Sequence, residues 1–562
     1  MLILGVTNND TAGACLVNDE KILAAVHEER FTRIKAHKIW PEKSVQYVLE
    51  SSGKELKDID AIAYGWNAGF NENFCLDLYV ERIIYECINN FPNIGIMKKR
   101  ITDELNNDKI KREEFDNFVS ENNLQSKVCY IDHHDTHAWG SWLCSGFEHA
   151  LVVTCDGRGD FLSLTIRYIK EGNETVLQRE TTIDSLGYFY GRITHLLNFK
   201  ANRHEGKVTG LAAHGDPEKA LPFMKEMINV INNRLVAHCG DLYMPYYQYY
   251  SDKLISRIKD YSPQDIAAAA QKHIENIMCE LISPWLKQYH VKNVCLAGGI
   301  FGNVRLNQII REMPGVDNVF VLPCMGDEGL PLAAAVTASW RKGGKRCLMK
   351  SMALGPSFKD KEIRDLLNKE SGLEVSEPEN ILKEIIDLLQ QNKIMAFFRN
   401  KMEFGPRALC NRSIVYHAHD KNVNVWLNKM LKRTEFMPFA PVTSENLAKE
   451  CFFDWHEERN SAEFMTMTWR CKDILISECP AVVHVDNTAR PQVIKEENDP
   501  FMYNLINAWN DLTGQPCLVN TSFNRHEEPI VHTPEEALSV LREGVIDAII
   551  FNDKFVVRKV TP

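Results

Sequence analysis

Ala150-Leu151-Val152-Val153-Thr154-Cys155-Asp156-Gly157-Arg158-Gly159-Asp160-Phe161-Leu162-Ser163-Leu164-Thr165-Ile166-Arg167-Tyr168 runs from an apolar segment through a glycine-bearing acidic turn into a second extended segment. Short apolar runs bounded by turn residues read as buried strands. The N-terminus repeats the grammar. Leu2–Thr7 is apolar, Asn8-Asn9-Asp10-Thr11 is a turn, and Ala14–Val17 and Lys21–Val26 are extended. Two strand–acidic turn–strand units so far apart predict a duplicated α/β domain. Two later strand ends, Val294–Ala297 before Gly298-Gly299 and Val319–Leu322 before Pro323–Gly329, each lead into an expected helix. Ligands of α/β folds gather at the carboxyl ends of strands, where glycine lets backbone approach a phosphate.

The chain has 562 residues, more than one hydrophobic core usually serves. The basic stretch Arg341–Arg346 and the turn Leu354-Gly355-Pro356-Ser357 suggest where it divides: a first domain over 1–350, a linker region over 351–375 and a second domain over 376–562. With 44% hydrophobic and 25% charged residues the composition is that of a globular protein. The net charge of −11 argues against a general nucleic-acid binder, while a local basic site can still hold a small anion. Sixteen cysteines without a CxxC pair fit neither a disulfide scaffold nor a paired zinc module, and suit a reducing compartment. MLILGVTNND lacks a basic n-region, and no run approaches the ~18–20 apolar residues of a membrane span. A cytoplasmic protein with no membrane partner is the expectation.

Asp132-His133-His134-Asp135-Thr136-His137 opens a helical stretch. His133 and His137, four apart, share one helix face, a spacing suited to a single metal. Asp156 and Asp327, at strand ends, can complete a mixed set that suits iron, manganese or zinc. A polar helix start with solvated histidines is the competing reading. Gly206 and Lys207 in Glu205–Gly210, and Gly298, Gly299 and Asn303 further on, are candidate phosphate or ribose contacts, or simply tight turns.

From Lys393 to Glu435 nine basic residues (Lys393, Arg399, Lys401, Arg407, Arg412, Lys421, Lys429, Lys432, Arg433) stand against three acids. Arginine forks bind phosphate bidentately, and lysine adds a point charge. Arg490 and the polar strand end Asn520-Thr521-Ser522-Phe523-Asn524 add donors. Interleaved Phe397, Phe398, Phe404 and Leu409 favour a partly buried cleft over a solvated basic face.

In sequence order, Glu28-Glu29-Arg30-Phe31-Thr32-Arg33-Ile34-Lys35, His133-His134-Asp135-Thr136-His137-Ala138, Asp156-Gly157-Arg158-Gly159-Asp160, Glu205–Ala212, Gly298–Asn303, Met402–Ser413, His484–Gln492 and Val519–Asn524 resemble the motifs of the O-carbamoyltransferase family of the NodU, CmcH and TobZ type. The ordered set spans nearly the whole chain. The resemblance implies a duplicated actin-like N-terminal domain and a C-terminal YrdC-like α/β domain. It implies formation of carbamoyl-adenylate from ATP and carbamoyl phosphate in the second domain, with Mg accompanying ATP, and carbamoyl transfer to a hydroxyl in the first. Under it His133, His137, Asp156 and Asp327 are metal ligands, with Fe(II) or a similar divalent ion expected. Gly206, Lys207, Gly298, Gly299 and Asn303 bind the intermediate or nucleotide. Arg407, Arg412, Lys432, Arg490, Asn520, Ser522 and Asn524 form the adenylation site. Arg33 and Lys35 contact the intermediate, and Asp10 and His37 are candidate bases. The acceptor is a small molecule, with a secondary metabolite such as an antibiotic or toxin expected, and a homodimer is allowed. Departures are Asn9 before Asp10, where many members carry histidine, Ala36 before His37, and Cys410 and Asn487 where glycine is usual. Threonylcarbamoyl-type transfer to tRNA and a non-catalytic nucleotide-binding protein are the alternatives.

Overall fold

The computed structural model describes residues 1–67, 74–91, 93–245, 250–432, 437–456 and 462–560. It divides into two compact units. One contains Met1–Leu23, Lys38–Val45 and Leu49–Leu348, the other Ala24–His37, Gln46–Val48 and Met349–Pro562.

The first unit holds two five-stranded sheets. In one, β1 (Leu2–Thr7), β2 (Gly13–Asn18), β3 (Lys21–His27), β4 (Ala61–Tyr64) and β5 (Val128–Tyr130) lie in the order β3-β2-β1-β4-β5. β1 pairs antiparallel with β2 and parallel with β4, and β4 pairs parallel with β5. In the other, β6 (His149–Gly159), β7 (Leu162–Lys170) and β8 (Asn173–Thr181) form an antiparallel meander. After the two-stranded ribbon of β9 (Ile228–Ile231) and β10 (Arg234–Ala237), β11 (Asn293–Ala297) pairs parallel with β6 and β12 (Asn318–Val321) parallel with β11. The order β8-β7-β6-β11-β12 is that of the first sheet strand for strand, which is the duplication expected from the two hairpins.

β1 and the first part of β6 are buried along their length because helices cover the sheets. Leu330–Arg341 packs on β1, β2 and β4, and His133–Ser145 on β6, β7 and β11. The two helices also pack on each other at Gly140, where an added Cβ would fall 2.5 Å from Ala333 Cβ. That close crossing brings the carboxyl ends of the second sheet to the start of the histidine helix.

In the second unit β13 (Leu373–Ser376), β14 (Met395–Phe398), β15 (Arg412–His417) and β16 (Ala440–Ser444) come first in the chain. A short ribbon of β17 (Trp469–Arg470) and β18 (Thr488–Ala489) follows, then β19 (Gln492–Ile494), β20 (Leu518–Ser522), β21 (Ala548–Phe551) and β22 (Phe555–Lys559). Eight of them form one mixed sheet, β13-β22-β21-β14-β15-β20-β16-β19, the α/β architecture expected of the C-terminal domain. Its core joins Met395, Val415, Leu518 and Ile550 of the sheet to Ile385 and Leu389 of helix Ile381–Gln390 and Leu505, Ile506 and Trp509 of helix Pro500–Thr513.

Two expected boundaries are corrected. Residues 351–375 are not a linker: they carry helix Asp360–Leu367 and the start of β13, whose Leu373 pairs with Lys559. Residues 24–37, from within β3 onward, group with the second unit although β3 begins in the first unit's sheet. Ala25 N donates to Leu354 O (3.1 Å), and Arg30 Nη2 to Gly405 O (3.1 Å). A cut made at one point of the sequence misses a segment donated across more than 300 positions.

The two glycine departures have a backbone explanation. Cys410 and Asn487 both adopt left-handed φ, +70° and +58°. Asparagine tolerates this region, whereas a β-branched residue does not. Asn487→Val should therefore lower the unfolding free energy by about 1–2 kcal/mol, and Asn487→Gly should change it by less than about 0.5 kcal/mol. Urea denaturation of the three proteins measures both.

Candidate active site: a buried metal centre and a basic cluster

Helix His133–Ser145 places His133 and His137 one turn apart, both with fully buried side chains. Asp156 leaves β6 where the register with β7 shifts between Cys155 and Gly159, and Asp327 opens the short turn after β12. His137 Nε2 lies 3.4 Å from Asp156 Oδ2 and 3.6 Å from Asp327 Oδ1, and His133 Nε2 lies 3.8 and 3.5 Å from the same atoms. All four ligand atoms fall within 4.8 Å of one another. Donors bound tetrahedrally to one cation at ~2.0–2.2 Å are roughly 3.4 Å apart. Both Nε2 atoms and Asp327 Oδ1 are buried and meet no hydrogen-bond partner among the described residues. Buried polar atoms left this way are costly, so the set fits one divalent cation.

The electrostatics agree. Burial would raise the Asp156 carboxyl, but the two imidazoles hold it below the ordinary carboxylate range. Burial works against charge on His137, yet Asp156 and Asp327 raise it to about 9. Burial raises Asp327, and Asp156 adds to it. A cation at such a set competes with protons for the ligand atoms.

Glycines give the centre its room. A Cβ on Gly159 would lie 2.0 Å from His133 Cδ2. Gly298 has φ +106°, and its Cβ would fall 2.2 Å from Cys155 O. Gly299 N donates to Asp156 Oδ2 and Gly157 N to Asp156 Oδ1, each at 3.0 Å. In the glycine pair expected at a phosphate or ribose, the Gly299 N–H is directed at the Asp156 carboxylate. Asn303 is likewise committed to structure: its Oδ1 caps helix Val304–Arg311 through Leu306 N (3.0 Å), and its amide bonds Gln271 (2.7 Å). Gly206 opens helix Glu205–Ala212 with free space where a Cβ would point, and Lys207 beside it is buried.

The four expected catalytic residues divide between the two units. Asp10 belongs to the first unit, half-exposed and ion-paired with Lys38. Arg33, Lys35 and His37 belong to the other unit. Arg33 donates to Pro529 O and Ile530 O, both at 2.9 Å, and pairs with Glu536. His37 Nδ1 meets Thr32 Oγ1 at 3.0 Å, and Lys35 is exposed.

The basic cluster sorts into struts and candidate ligands. Arg399 is buried between Asp499 and Asp553, with four N–O contacts of 2.5 to 2.9 Å. Arg412, expected at the phosphates, is fully buried over the Phe398 ring and donates to the carbonyls of Pro356, Arg399, Asn400 and Asn411. Burial pulls its guanidinium down to about 10. Those carbonyl bonds tie it to the backbone of its own loop and of Pro356. Glu403, which sequence reasoning missed, accepts on one oxygen the N–H groups of Leu409, Asn411 and Arg412 at 2.7, 2.8 and 3.1 Å. The folded loop leaves Arg407 and Arg490 half-buried and Lys432 exposed. Arg433 lies outside the described residues. Asn520 Nδ2 donates to Gln492 Oε1 (2.7 Å), and Ser522 Oγ to Asn524 Oδ1 (2.5 Å). Cys410 Sγ joins the first pair, 3.3 Å from Gln492 Oε1.

With this geometry in place, comparison with known proteins is informative. Residues 2–336 match the family described as carbamoyltransferase N-terminus, and residues 386–559 match carbamoyltransferase C-terminus. The chain is 31% identical to the uncharacterized protein MJ1051 of Methanocaldococcus jannaschii, over 98% of this chain and 99% of that one. It is 30% identical to nodulation protein NolNO of Sinorhizobium fredii, over 96% and 77%, and 29% identical to nodulation protein NolO of Bradyrhizobium diazoefficiens, over 76% and 79%.

Two outcomes test this sorting. Arg399→Ala strands two partly buried carboxylates and should cost about 2–4 kcal/mol of stability, whereas Arg407→Ala should cost less than about 1 kcal/mol; thermal and urea unfolding compare them. Gly159→Ala should displace the His133 ring and weaken metal binding at least about tenfold, read by metal content after dialysis against a chelator.

Proposed function

The chain belongs to the carbamoyltransferase family, and on that premise we propose an ATP-dependent O-carbamoyltransferase that works in two steps. One observation carries the reading: each matched half of the chain has its own polar site, an orphaned four-ligand cluster in the first unit and a Glu403-organised basic loop in the second. In the second unit, water cleaves carbamoyl phosphate to carbamate and phosphate. A carbamate oxygen then attacks the α-phosphorus of ATP, the bond to the β-phosphate oxygen breaks, and pyrophosphate leaves. Arg407, Arg490 and Lys432 neutralise the crowded phosphates and hold the reactants in line, with Mg accompanying ATP. Ser522 and Asn524 add hydrogen bonds.

In the first unit an acceptor hydroxyl oxygen attacks the carbamoyl carbon, AMP leaves, and the hydroxyl proton passes to a base. Asp10 is the carboxylate of the first hairpin able to take it, once its pairing with Lys38 is broken. A divalent ion held by His133, His137, Asp156 and Asp327 would supply Lewis acidity toward an oxygen of the carbamoyl-adenylate. Gly206 and Lys207 are the remaining contacts for that intermediate. The acceptor is a small hydroxylated metabolite.

ATP–pyrophosphate exchange by the purified chain tests the first step. Exchange should require carbamoyl phosphate, fall about 10²–10³-fold in Arg407→Ala, and persist in His137→Ala, whose defect is confined to transfer. Exchange indifferent to carbamoyl phosphate, or undiminished in Arg407→Ala, would sink the scheme.

A further inference from the structure

A histidine that binds a metal through one ring nitrogen almost always donates its other N–H to a carbonyl or carboxylate, which fixes the ring. Neither histidine here does so. Nδ1 of His133 and Nδ1 of His137 are buried without a hydrogen-bond partner among the described residues. Ring orientation at this centre must come from the backbone and from packing.

Around His133 both are visible. Asp160, itself buried, accepts on Oδ2 the backbone N–H of His133 at 2.7 Å and that of Asn67 at 3.0 Å. The Asn67 side chain donates to Asp132 Oδ1 at 2.8 Å. The loop after β4, the first residue of the histidine helix and the end of the metal turn therefore meet on one carboxylate. Trp66, next to Asn67, sets its indole edge-on to the His133 ring, with centroids 4.5 Å apart and planes at 73°. The Gly159 backbone closes another side. Asp160 itself holds φ +47°, a conformation that a non-glycine residue keeps where its surroundings over-determine it.

We propose that Asp160 is a positioning residue of the metal centre: its carboxylate, with Trp66 and Gly159 around the ring, holds His133 in its metal-facing orientation in place of the missing imidazole hydrogen bond. The competing role is helix capping that stabilises the fold and leaves metal affinity alone. The proposal is independent of which acyl group or acceptor the enzyme uses.

The test uses the full chain, stripped of metal and titrated anaerobically with Fe(II) and Mn(II) against a chromogenic chelator. The melting temperature of each metal-free variant and the Mn(II) EPR spectrum are recorded in parallel. Asp160→Ala should weaken metal binding about 10–100-fold and broaden the EPR signal. Asp160→Asn keeps an acceptor oxygen and should restore affinity to within about fivefold of wild type. Trp66→Leu, which leaves the carboxylate in place, should weaken binding about tenfold, and it decides the matter if Asp160→Ala does not fold. Wild-type affinity in Asp160→Ala overturns the proposal, as does wild-type affinity in Trp66→Leu or a loss that follows only the metal-free melting temperature. A wild-type chain that binds neither ion would remove the metal centre itself, a different failure from that of the positioning role.

Discussion

Two imidazoles and two carboxylates brought together where water is scarce form the constraint on which the first unit is organised. None of the four could be buried alone without losing its charge or a hydrogen bond. They are tolerable because each faces charge of the opposite sign, and their spacing suits a cation at the centre. Meeting that demand needs elements from distant parts of the chain. One helix supplies the histidines, a bulged strand end the first aspartate, and the turn after a parallel strand the second. The duplicated sheet order makes this meeting possible, and the Gly140–Ala333 helix crossing sets how close the helix comes.

The second unit solves the opposite problem, keeping positive charge available. An arginine that is to meet phosphate has to be left unspent, and its neighbours have to be satisfied so that the loop keeps its shape. Glu403 does this with three backbone N–H groups on one oxygen, and Arg412 with carbonyls on its guanidinium. The closely spaced bonds within the loop are thus made by Glu403 and Arg412, both buried in it.

Local patterns survived the passage from sequence to structure, and long-range partnerships did not. A strand, an acidic turn and a strand are contiguous, so both hairpins could be read directly, as could histidines one helical turn apart. The order of the eight-stranded sheet could not, because β13 and β22 are neighbours in space and nearly 200 residues apart in the chain. Charge counting met the same limit: Arg399 and Arg412 stood in the basic cluster, and their carboxylate and carbonyl partners could not be read from it. The bond between Gly299 N–H and Asp156 was hidden in the same way. Asp160 sat in plain view in the turn, but its use depends on two N–H groups brought to it by other segments.

The donated segment Ala24–His37 has a consequence for biosynthesis. Its arginines and aromatic ring rest on Gly405, Pro529, Ile530 and His532, residues made hundreds of positions later. At roughly 5–20 residues per second, the segment leaves the ribosome many seconds before any of those partners exists. The second unit is complete only with that segment in place, however complete its own sheet. The nascent chain has to keep the segment unspent until partners hundreds of positions later arrive, so closure of this unit waits on their synthesis.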